Sequence, residues 1–123
     1  MTRIRERLLA VAFAGVVLGV TPSAHAVGSV GSVLIANIQI VTSNGTSAAV
    51  LNFVGGVGGS RPACATFPQL GLGIDVSTAK GKLVLNYATA AFLASKKVDV
   101  SGTGGCFGAS NSIEIIDSLT ILP

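Results

Sequence analysis

Residues able to transfer protons, attack as nucleophiles or hold a metal are scarce in this 123-residue chain. There is one histidine, His25, two cysteines, Cys64 and Cys106, and five acids, Glu6, Asp75, Asp99, Glu114 and Asp117. Ser-His-Asp and Cys-His catalysis, and the usual histidine-containing zinc sites, all depend on the fate of His25. Carboxylate pairs could still do general acid-base work. None of Asp75, Asp99, Glu114 and Asp117 sits in a spacing that marks such a pair.

His25 lies in a segment that reads as a secretory signal. Arg3, Arg5 and Arg7 form a basic start, and Leu8 to Val20 carry no charge or strongly polar group. Pro22 ends the apolar run, and Ala24 and Ala26 place small side chains where a signal peptidase requires them. The apolar run is too short for a membrane anchor, because as a helix it rises only about 20 Å against a hydrocarbon core of ~30 Å. The expectation is cleavage after Ala26, no stable membrane anchor afterwards, and delivery to the periplasm or the medium. Val27 follows the cleavage point, so no cysteine is offered for lipid attachment.

Removing the first 26 of 123 residues leaves 97, enough for a single domain, 27–123, with a modest core. Three of the eight basic residues and one of the five acids leave with the signal, so five basic residues remain against four acids. The pI of 9.2 therefore describes mostly the discarded segment. Arg61, Lys80, Lys82, Lys96 and Lys97 form no basic stripe interleaved with aromatic rings, which argues against nucleic acid as a partner. The only histidine is lost, and with it the one side chain that titrates near neutrality unperturbed. The expectation is a protein that is not an enzyme, with no catalytic residue, no cofactor and no metal.

Cys64 and Cys106 both remain, in a compartment where an even count reads as a disulfide. They show no C-x-x-C spacing that would favour metal binding or redox cycling. Closing this loop of about 43 residues contributes ~4 kcal/mol in the chain-entropy model.

The elements that must position these residues are mostly strands. Val33 to Val54 reads as a hairpin around Asn44-Gly45, a dipeptide that tolerates positive φ at both positions. A two-residue loop there pairs Ser43 with Thr46, Ile40 with Ala49, Ile38 with Leu51 and Ala36 with Phe53, setting the apolar pairs on one face. Asn44-Gly45-Thr46 also matches an N-glycosylation sequon, which matters only in a eukaryotic secretory route. Gly55 to Gly59 reads as a flexible loop, and it lacks the lysine and spacing of a phosphate-binding loop. Gln69 to Val76 alternates, with Leu70, Leu72, Ile74 and Val76 on one face and Gly71 and Gly73 leaving the other nearly bare.

Ser77 or Thr78 offers an N-cap for a helix of about 17 residues ending at Ser95. Its polar residues Lys82, Asn86, Thr89 and Lys96 form one narrow stripe, which predicts burial over most of its circumference. Leu83, Tyr87, Ala91 and Ala94 make one apolar flank, and Val84, Ala88 and Phe92 the adjacent one. The second flank either lies under the glycine-rich loops or faces another subunit. Lys97 to Ser101 follows as a strand with Val98 and Val100 inward, then Gly102 to Gly108 as a loop, then a last strand from Ile113 to Leu122. Strict alternation there would place Asp117 inward, so a bulge near Ile115-Ile116 is expected instead.

Three strands, a helix and two strands is the order of the OB-fold, a small five-stranded Greek-key barrel. With its export signal, one disulfide and long helix, the chain resembles the B subunits of bacterial A-plus-five-B toxins of the enterotoxin group. That resemblance is topological and implies a pentameric ring with central helices and a rim that binds host glycans. The bridge differs from the enterotoxin one, because Cys64 falls between the second and third strands rather than near the N-terminus. No tryptophan is present to stack on a sugar, and no ligand-binding residue can be carried over. Two functions follow: an exported module that binds a glycan or receptor as part of a homo-oligomer, or a periplasmic or envelope structural or inhibitor protein packed against a protein partner.

Overall fold

The structure is a computed structural model that describes residues 27–43, 45–67, 71–107 and 112–123. Residues 1–26 with Ala24 and Ala26, together with Asn44, Gln69 and Leu70, lie outside the described residues. The chain forms β1 (Gly28–Ser43), β2 (Thr46–Phe53), β3 (Gly58–Gly59), β4 (Gly71–Ile74), α1 (Ala79–Leu93), β5 (Lys97–Phe107) and β6 (Ile113–Ile121). Pairing runs β2-β4-β6-β5-β1-β3, and β2 also pairs with β1. Five strands therefore close into a ring, β1-β2-β4-β6-β5-β1, with short β3 beside the start of β1. All pairings are antiparallel except β4 with β6.

The hairpin register is the expected one from Ser43↔Thr46 through Ile40↔Ala49 and Ile38↔Leu51 to Asn37↔Asn52. It then slips by one residue. Ile35, not Ala36, faces Phe53, because Ala36 is an extra residue bulged on β1. The slip turns the larger Ile35 into the core and leaves Ala36 exposed. The apolar face also stops short of the turn. Ile40 is 62% exposed although its partner Ala49 is fully buried, and Ile38 packs at the margin of the core.

β1 serves two partners in succession, β5 and β3 through its first half and β2 through its second. Between them it bends at Ser32, whose φ of 53° is held by the Ser32 N–H donating to Asp99 Oδ1 at 2.6 Å. The main core fills the ring with Ile35, Leu51, Phe53, Leu72, Ile74, Val98, Val100 and Ile116, closed at one end by Ala88 and Ala91 of α1. A second cluster lies on the opposite face of β2, where Ala48 and Val50 pack with Ile113, Val41, Phe67 and Phe107. The bare face of β4 is used there: a Cβ on Gly73 would come within 2.5 Å of the Phe107 ring and 2.6 Å of Ile113. The Cys64–Cys106 disulfide, S–S 2.06 Å, fastens the 60–67 segment to β5 beside this cluster.

Four further expectations are corrected. Gly102 to Phe107 is strand, not loop, and Gly58–Gly59 pairs with β1 instead of hanging free. α1 ends at Leu93, so Lys96 and Lys97 lie beyond its last turn. Its cap is a Schellman pair, Ser95 N–H to Phe92 O and Lys96 N–H to Ala91 O, with Ser95 at φ 50°. The fourth correction concerns burial: only Gly81, Ala88 and Ala91 of α1 are buried. Thr78 is the N-cap, its side chain accepting from Gly81 N–H at 2.9 Å. No helix among the described residues is long and apolar enough to cross a membrane.

Candidate functional site

The four acids of the described chain serve four separate local tasks. Asp75 Oδ1 accepts from Ser77 N–H at 2.9 Å and from Ser77 Oγ, fixing the turn that starts α1. Asp99 holds the bend in β1. Asp117 is exposed and meets Lys80 at 3.0 Å. It sits at a register slip, with Ser118 facing Ser101 and Ile116 facing Gly102, so the extra residue turns its carboxylate out of the ring. Glu114 alone is buried completely. Among the described residues no three of His, Cys, Asp and Glu come together.

Glu114 is what the sequence did not disclose. Its Oε1 accepts from Gly28 N–H at 2.8 Å and Gly104 N–H at 3.3 Å, and Arg61 Nε stands 3.6 Å from Oε2. Arg61 is tied in turn to Gly71 O at 2.9 Å. The carboxylate fits only because its neighbours have no side chains. A Cβ on Gly28 would fall 2.6 Å from Oε2, and one on Gly102 would strike the carboxylate as well. Gly28 and Gly102 thus make room for a buried charge and Gly104 donates to it, and glycines opposite an acidic strand residue were the available signal.

Among the described residues, two open surfaces bear on function. The first is an open cleft of about 550 Å³ between the β1–β2 turn and the start of α1, lined by Thr46, Ser47, Asp75, Val76, Ser77 and Phe107 among others. It brings hydroxyls, a carboxylate and an aromatic ring together, with Ser77 Oγ bonded to Asp75 Oδ1 and Ser47 Oγ to Thr42 Oγ1. The second is the outer flank of α1. Leu83 and Tyr87 are 57% and 54% exposed, and Leu93 is 77% exposed. Leu83, Tyr87, Ala90 and Ala94 repeat at helical spacing along this flank, and all four are exposed. Leu83, Val84 and Tyr87 also border a shallow pocket of about 200 Å³ against Leu119. The glycine-rich segments do not cover this flank; they are spent on β3 and β5.

Comparison with protein-family models, with characterised proteins and with solved structures finds no match for this chain. Its function therefore has to be argued from these surfaces.

Proposed function

We propose that this chain is an exported, disulfide-bonded binding module on an OB-fold that assembles into a homo-oligomeric ring through α1 and holds a glycan or receptor surface by its loops. The uncovered apolar flank of α1 carries the reading. Large apolar side chains left in a row on a small domain mark an interface, and Ala90 and Ala94 would let a neighbouring helix approach closely. The strand order, the parallel β4–β6 pairing and a helix between β4 and β5 support the OB-fold assignment. The cleft beside Thr46, Asp75 and Phe107 is the candidate ligand site. The scattering of the acids favours binding over catalysis.

The same flank supports a second reading, an envelope or inhibitor protein that packs α1 against a different protein. Light scattering on the exported protein separates the two, since only the first expects a defined homo-oligomer from the chain alone. Ligand binding is tested by screening immobilised glycans with the wild type and with Thr46→Tyr, which fills the cleft. Binding lost in the variant supports the site; binding unchanged in the variant removes it.

A further inference from the structure

The buried ion pair is incompletely satisfied. Glu114 Oε2 and the Nε and Nη1 of Arg61 have no hydrogen-bond partner although all three atoms are buried. At 3.6 Å the Nε–Oε2 contact is too long for a hydrogen bond. A carboxylate held this way retains a large part of its desolvation cost. The residue preceding Gly28, whose N–H binds this carboxylate, is Val27, the residue that cleavage after Ala26 would make the N-terminus.

In the uncut chain the Val27 nitrogen is a neutral amide. Hydrolysis of the Ala26–Val27 bond by a signal peptidase consumes one water, leaving a carboxylate on Ala26 and an amine on Val27 that is protonated at neutral pH. Successive backbone nitrogens of an extended chain are about 3.6 Å apart. The new ammonium therefore arises within about 6.5 Å of Glu114 Oε1, with three donors and a free rotation about its terminal bond.

We propose that signal cleavage completes the fold by supplying the Val27 α-ammonium as an ionic partner of the buried Glu114 carboxylate. The inference rests on the export reading. The charged groups facing the amine are Glu114 from β6 and Arg61 from the 60–67 segment. β3 and residues 102–105 of β5 bring no charge. Arg61 opposes the ammonium, but its anchorage to Gly71 O at 2.9 Å leaves the carboxylate short of donors. Gly28 keeps the space beside Oε2 clear, since a side chain there would occupy it. Pairing raises the amine's pKa in the folded state. Its stabilisation is then full below the ordinary α-amino range of about 7.7–8.0 and is lost as pH rises through the folded value.

The test uses the full chain exported by a bacterial host. Intact mass gives the N-terminus, and trace acylation of the α-amine at a series of pH values gives its titration midpoint. The expected result is a protein starting at Val27 whose native midpoint lies at least half a unit above that in guanidinium, a difference abolished by Glu114→Gln. If that variant does not fold, one glycine inserted between Ala26 and Val27 displaces the amine while keeping Glu114, and it should bring the midpoint back. Equal native and denatured midpoints, or a native shift insensitive to both changes, overturn this proposal and leave the export reading standing. A mass that does not start at Val27 overturns both.

Discussion

The molecule buries a charge and leaves several large apolar groups exposed, and the two anomalies differ in how they are compensated. Glu114 is fully buried, but Arg61, Gly28 N–H and Gly104 N–H surround it within the same chain. Leu83, Tyr87 and Leu93 stand in solvent, and nothing in the described chain covers them. The first anomaly is met within the chain, though incompletely, by Arg61 and two backbone N–H groups. The second is met by nothing in the described chain, and the proposed assembly rests on it.

The sharpest contrast lies within α1 itself. Ala91 is 1% exposed and belongs to the main core, while Leu83 two turns earlier is on the open flank. Ala91→Arg should cost at least about 4 kcal/mol by placing an unpaired charge in the core, and circular dichroism should report an unfolded protein. Its failure would say nothing about assembly, so Ala91 cannot probe the flank. Next in size is Arg61→Met, which strands the Glu114 carboxylate and should lower stability by about 3–5 kcal/mol in urea unfolding. Adding Glu114→Leu removes the stranded charge but leaves the Gly28 and Gly104 N–H groups without their acceptor, so it should recover only part of that loss. Removing the bridge by Cys64→Ser with Cys106→Ser should cost ~4 kcal/mol while leaving secondary structure intact at low temperature. Two free thiols in the oxidised protein would contradict the disulfide.

Legibility in the sequence followed the same division. Turn chemistry and alternation agree at Asn44-Gly45, which is why the β1–β2 register was readable to within the bulge at Ala36. α1 was readable from its Thr78 cap and its run of helix formers. Alternation becomes ambiguous where a strand is buried on both faces. Val50 and Ala48 look outward by parity yet lie under Phe67 and Phe107, which the disulfide holds in place. Glu114 was hidden for a related reason: parity assigns it to the outer face of β6, and only the fold brings Arg61 and three glycines to it. The glycine run of β5 looked like a loop because its composition is that of a turn, whereas Gly102 clears space for a carboxylate and Gly104 donates its N–H to it.

The smallest effect on folding should come with the largest effect on assembly. Leu83→Arg changes an exposed position and should alter stability by no more than about 0.5 kcal/mol. Light scattering during size-exclusion chromatography of the exported wild type and this variant tests the central claim most directly. The account predicts a discrete homo-oligomer for the wild type and a folded monomer for Leu83→Arg. A wild type that is monomeric at micromolar concentration, or an oligomer that Leu83→Arg leaves intact, would contradict it.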